Sequence, residues 1–97
     1  MSELHVVATL PTRTESADVV REALTTLVDA TREEEGCLAY DLYESAAAPG
    51  TFVTVERWRG KDDLDAHLTT PHVAAAVASV RDHLTGELSV HPLTPVG

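Results

Sequence analysis

Cys37-Leu38-Ala39-Tyr40-Asp41-Leu42-Tyr43-Glu44, followed after a short interval by Thr51-Phe52-Val53-Thr54-Val55-Glu56-Arg57-Trp58-Arg59, decides the fold. In the first segment Leu38, Tyr40 and Leu42 alternate with Cys37, Ala39, Asp41 and Tyr43. In the second, Phe52, Thr54, Glu56 and Trp58 alternate with Val53, Val55 and Arg57. Side chains of a strand point to opposite faces with a period of two, so both segments read as strands. Pro49-Gly50 supplies the loop between them, and the pair forms an antiparallel hairpin closed by Gly60.

Toward the N-terminus the period changes. Ala17, Val20, Leu24, Leu27, Val28 and Thr31 recur at helical spacing, giving an amphipathic helix over residues 17–34 with Ser16 as its cap. Gly36 is the residue expected in the left-handed position beyond its end. Glu33, Glu34 and Glu35 stand at the negative end of that helix dipole, an unfavourable place that nothing local accounts for. Before the helix, residues 3–10 are rich in β-branched side chains and stop at Pro11, as a strand would. After the hairpin comes a short helix over about residues 62–69. Thr70-Pro71 then provides an N-cap and a first-turn proline for another helix, whose stripe is Val73, Val77, Val80 and Leu84. Gly86 ends it, and residues 88–93 form a last strand that Pro92 confines to an edge or an end.

The order βαββααβ predicts an α+β, ferredoxin-like fold over residues 1–97: a four-stranded antiparallel sheet with helices on one face. Helices cover one face only, yet Val7, Val53 and Val55 make the other face apolar as well. A homodimer packed sheet against sheet covers it with one self-complementary patch.

The chain opens Met1-Ser2-Glu3, without a basic segment leading into an apolar run, and no stretch approaches the roughly 18 apolar residues of a membrane span. A cytoplasmic location is expected. Sixteen acidic against seven basic residues give a formal charge of −9, which disfavours nucleic acid and anionic membranes as partners. Cys37 is the sole cysteine, so no internal disulfide or multi-cysteine zinc cage can form, and a buried inert thiol is its simplest role.

Five side chains stand out as candidates for chemistry: Tyr40, Glu56, Trp58, His67 and His72. Glu56 shares a strand face with Thr54 and Trp58, where a carboxylate in an apolar cleft either takes a structural hydrogen-bond partner or has a chemical task. Trp58 serves as a core hydrophobe or as a flat cleft wall. His67 borders the inward stripe of the short helix beside Leu64 and Leu68. His72 lies in a first helical turn, where the dipole favours a neutral ring; solvent exposure is the simpler alternative. No metal is expected, because Pro71 breaks the i, i+4 histidine spacing of a zinc helix. Phosphate loops, nucleophile elbows and haem-attachment motifs are absent, so no cofactor is indicated.

The blocks Glu35-Gly36-Cys37-Leu38-Ala39-Tyr40-Asp41-Leu42-Tyr43, Phe52-Val53-x-x-Glu56-x-Trp58 and Leu64-x-Ala66-His67-Leu68-x-Thr70-Pro71-His72 resemble the antibiotic-biosynthesis monooxygenase family and its quinol-monooxygenase branch. Each block alone is weak, but together, in the family's order and spacing, they are fairly specific, and with the strand and helix that precede them the resemblance covers nearly the whole chain. The first loop, Pro11-Thr12-Arg13-Thr14, departs from the family's glycine-containing turn. The resemblance implies a dimeric α+β barrel and a cofactor-independent monooxygenase acting on a quinol or aromatic polyketide-type phenol. Strand alternation sets Trp58 beside Glu56 and the resemblance puts His67 in the helix roofing the same cleft, so His67, Trp58 and His72 are the catalytic candidates, with either histidine as the base, and Tyr40, Glu56 and Phe52 the substrate-binding ones. The superfamily's haem-degrading branch fits poorly: its first-strand asparagine falls on Ala8 and its axial histidine on Val77, leaving only Trp58 matched. A non-catalytic binding domain and a signal-degrading or isomerase member of the same fold are the alternatives.

Overall fold

The computed structural model describes residues 3–97; Met1 and Ser2, part of the opening read for a leader, lie outside the described residues. Four strands, β1 (Leu4–Pro11), β2 (Cys37–Glu44), β3 (Thr51–Trp58) and β4 (Ser89–Pro92), are joined through three helices, α1 (Ala17–Thr31), α2 (Lys61–His67) and α3 (Pro71–Val80). All ladders are antiparallel, and the sheet order is β2-β3-β1-β4. This is the expected ferredoxin-like α+β arrangement. Pro92 ends the edge strand β4, where its missing N–H costs no ladder bond.

Strand alternation sends Val6, Ala8, Leu10, Tyr40, Phe52, Thr54, Glu56 and Trp58 to the helix side, where all are buried. They pack in two clusters. Leu10 and Phe52 meet Val20, Leu24 and Leu27 of α1 and Ala76 and Val80 of α3. Val6, Tyr40 and Trp58 meet Val28 and Leu64. Burying each large apolar side chain contributes roughly 1.5–3 kcal/mol, which is why the inward stripes and not helix propensity fix where the helices sit.

Three local expectations need correction. A register shift between Cys37 and Ala39 turns Cys37 toward the Val6–Trp58 cluster and leaves Leu38 exposed, so Leu38 does not join Tyr40 and Leu42. Ser16 stands at the N-cap position of α1 but its side chain makes no capping bond: it closes a 3₁₀ turn, Thr14–Ser16, and its Oγ pairs with His83 Nδ1 at 2.8 Å. Gly36 is not left-handed. The one positive-φ glycine among the described residues is Gly50 in the hairpin loop, where a Cβ would also meet the Thr12 carbonyl oxygen at 2.6 Å. Gly36 answers a different demand, since a Cβ there would lie 2.2 Å from Asp63 Cγ.

Helix α1 stops at Thr31, short of residue 34, because Glu33 and Glu34 N–H groups bond back to Ala30 and Thr31 carbonyls in a tighter turn. Likewise α3 ends at Val80 and passes into a 3₁₀ turn, Arg81–His83, before Gly86 is reached. The expected Thr70 cap is present: its hydroxyl accepts from Val73 N–H, with Pro71 at the first helical position.

Candidate active site

Between the sheet and the helices lies a cavity of about 70 Å³. Leu10, Leu24, Leu27, Ala76 and Val80 give it an apolar body, whereas Tyr40, Thr54, Glu56 and His67 converge as its polar end. An apolar chamber with a few convergent polar groups is the usual form of a small-molecule site. Its open rim carries Leu68, Leu88 and Val90, all partly exposed.

The sheet register builds the polar end. Val6, Glu56 and Tyr40 lie abreast on three adjacent strands, so Glu56 is held at the sheet centre, 5% exposed. Its two oxygens accept from different donors: Thr54 Oγ1–H to Oε2 at 2.5 Å and Trp58 Nε1–H to Oε1 at 2.8 Å. Both donors come from its own strand at i±2 spacing, and they offset the cost of burying a carboxyl group. Burial, and next the nearby Glu56, push the Tyr40 phenol well above its ordinary range. Tyr40 is therefore a protonated hydrogen-bond donor at neutral pH and not a base.

His67, the last residue of α2, is 3% exposed and forms part of the cavity wall. Its Nδ1–H donates to Glu34 Oε2 at 2.7 Å, and His72 Nε2–H donates to the same oxygen at 2.7 Å. A carboxylate only accepts, so this contact fixes the His67 tautomer and leaves Nε2 as the basic atom of the ring. Trp58 backs the imidazole at a centroid distance of 4.7 Å, and Tyr40 lies 5.6 Å from it. Glu34 is the functional candidate that sequence reasoning passed over. Its turn is pinned by Arg59 N–H on the Gly36 carbonyl at 2.9 Å and by the Arg59 guanidinium on Glu35 and Asp63. The acidic run at the dipole's unfavourable end was the available signal, and its partners lie on α2 and α3.

Three other expected site residues lie elsewhere. Trp58 is fully buried and absent from the cavity wall: its indole is tied to Glu56 and covered by His67, so it supports the site from behind. Phe52 is buried in the Leu10–Val80 cluster, two strand positions from Thr54, and does not reach the cavity. His72 lines a separate shallow depression with Ala23 and Ser79 and joins the site through Glu34 and the neighbouring His67 ring. Burial, and then the charge of Glu34, push the Cys37 thiol up, which suppresses its thiolate.

Residues 4–79 match the family described as "Antibiotic biosynthesis monooxygenase". The chain is 37% identical over 95 residues to "Putative monooxygenase Rv0793" of Mycobacterium tuberculosis, covering 98% of this chain and 93% of that protein. The structure of Rv0793 superposes with a TM-score of 0.88 over 99% of this chain and 97% of its own. A crystal structure described as an antibiotic biosynthesis monooxygenase has a TM-score of 0.90 at 34% identity, covering 97% of this chain and 99% of that one. "Probable quinol monooxygenase YgiN" of Escherichia coli K12 is 30% identical over 102 residues, covering 95% of this chain and 97% of that protein.

Proposed function

Because the chain belongs to the antibiotic biosynthesis monooxygenase family, we propose that it is a cytoplasmic oxygenase of a quinol or polyketide-type phenol, using His67 as base and the substrate's own electrons in place of a flavin or haem. The observation that carries this reading is the buried His67 ring at the cavity's polar end, oriented through Nδ1 by Glu34. Nε2 takes a proton from the phenol or an activated ring carbon, and the electron-rich anion that forms donates to molecular oxygen. Oxygen adds to carbon, the resulting peroxide takes up a proton, and loss of water leaves a carbonyl. One oxygen atom stays with the product and the other departs in water. Tyr40, kept protonated by burial, supports the reading as the donor that steadies the anion.

The cavity is smaller than the roughly 150 Å³ apolar void that accommodates benzene, so a ring enters by turning rim side chains. Leu68, Leu88 and Val90 have that freedom, being 45%, 38% and 36% exposed. Oxygen-electrode measurements with a panel of hydroquinones and anthrones test the function: consumption above the buffer rate is expected for at least one. Saturable binding of every member without uptake would replace the oxygenase with a binding domain.

The assembly proposed for this function is a homodimer through the sheet face away from the helices. Val7 and Val55 are paired neighbours there, Val53 and Tyr43 flank them, and Val55 and Tyr43 are 44% and 57% exposed. No helix among the described residues is long and apolar enough to cross a membrane. Sedimentation at micromolar concentration should show a dimer, and Val53→Asp should convert it to monomer, because a carboxylate in that seam loses hydration without gaining a partner. A wild-type protein sedimenting only at 10.4 kDa would refute the assembly.

A further inference from the structure

Glu34, His67 and His72 belong to three different elements: the turn after α1, the end of α2 and the start of α3. One ligand atom from each lies within 4.8 Å of the other two, the one such set among the described residues. We propose that these three side chains form a binding site for a divalent first-row transition ion of the zinc class. Pro71 keeps the two histidines off one continuous helix face. The folded chain instead brings the two rings together across a helix boundary, with centroids 6.0 Å apart.

The donor set decides the class of ion. Two imidazole nitrogens and one carboxylate oxygen suit zinc and its neighbours, whereas magnesium and calcium prefer all-oxygen shells. Three protein ligands with a remaining open position is the arrangement of zinc sites that keep a water. Bonds of about 2.0–2.2 Å at tetrahedral angles require ligand atoms about 3.3 Å apart. The two 2.7 Å contacts to Glu34 Oε2 must therefore widen by roughly half an ångström. Glu34 stands in a turn with its side chain 18% exposed, and His72 is 26% exposed, so the carboxylate can shift and an ion can enter from solvent. Trp58 and Tyr40 hold the His67 ring, so the adjustment to an ion falls to Glu34 and His72. The chain's −9 charge concentrates cations around it.

On the oxygenase reading, the same ion controls the base. An ion on His67 Nδ1 forces the ring proton onto Nε2, which then has no lone pair to accept a substrate proton. Occupied and empty sites would be inactive and active states of one base.

The test uses tag-free, chelator-stripped full-length protein titrated with Zn²⁺ by calorimetry and with Co²⁺ by visible absorption. One ion per chain is expected, with the intense absorption of four-coordinate Co²⁺ and a rise in Tm on adding one equivalent of Zn²⁺. His72→Ala and Glu34→Gln should each weaken binding by more than about 100-fold, beyond the 10–100-fold typical of residues that only orient ligands. His83→Ala should leave it unchanged. Circular dichroism of each variant shows whether a loss reflects unfolding, and both residues are exposed enough for the fold to survive. Absence of one-to-one binding, or binding unaltered in the Glu34→Gln, His72→Ala double variant, overturns the site. Zn²⁺ binding at this site in a protein whose metal-free form oxidises neither hydroquinones nor anthrones would sink the oxygenase reading and leave the metal site standing.

Discussion

Replacing His67 with alanine should lower oxygen uptake, with any quinol the protein accepts, by roughly 10²–10⁴, equivalent to about 3–5 kcal/mol of barrier. The magnitude follows from removing a general base whose basic nitrogen belongs to a ring held from two sides, by Glu34 at 2.7 Å and Trp58 at 4.7 Å. Alanine also removes a buried ring that supports Trp58 and Tyr40, so a fall in rate alone would not separate chemistry from packing. His67→Asn makes the separation. An asparagine amide nitrogen occupies nearly the place of imidazole Nδ1 and can still donate to Glu34, but nothing replaces Nε2. Comparable losses of kcat in the alanine and asparagine variants, with the asparagine variant near wild-type stability, are the expected result. Asparagine retaining most of the activity would make His67 a packing residue.

The order of elements was legible because the period of apolar residues switches between two and helical spacing at each boundary, and alternation along β3 correctly sent Glu56 and Trp58 to the helix side. What alternation cannot give is depth along that face. Glu56 at the sheet centre borders the cavity, while Trp58, one row nearer the end, lies beneath His67. Leu38 was misplaced because a bulge adds one residue to the count, and no residue type near Cys37 announces it. Gly36 was assigned a backbone role when its reason is the approach of Asp63, twenty-seven positions along the chain. Glu34 was least legible: helix-dipole reasoning weighs it against its own helix, but its partners His67 and His72 are brought to it by tertiary packing of α2 and α3.

Trp58→Ala should cost about 3–5 kcal/mol of stability, the range for truncating a large buried aromatic, making it primarily a folding defect and not a loss of substrate stacking. The indole is 0% exposed, meets Tyr40 edge-on at 6.3 Å, supports the His67 ring and gives its N–H to Glu56. Truncation opens a void and strips one of the two donors from a buried carboxyl group. Trp58→Phe separates these contributions by keeping an aromatic surface while leaving Glu56 Oε1 without its donor, a loss of about 1–3 kcal/mol. Unfolding by denaturant should be followed by circular dichroism, since the substitution removes the chain's only tryptophan. Midpoints in the order wild type, phenylalanine, alanine are expected, with KM rising less than kcat falls as His67 loses its backing. A loss below about 1 kcal/mol in the alanine variant, accompanied by a large rise in KM, would instead return the indole to the cavity wall.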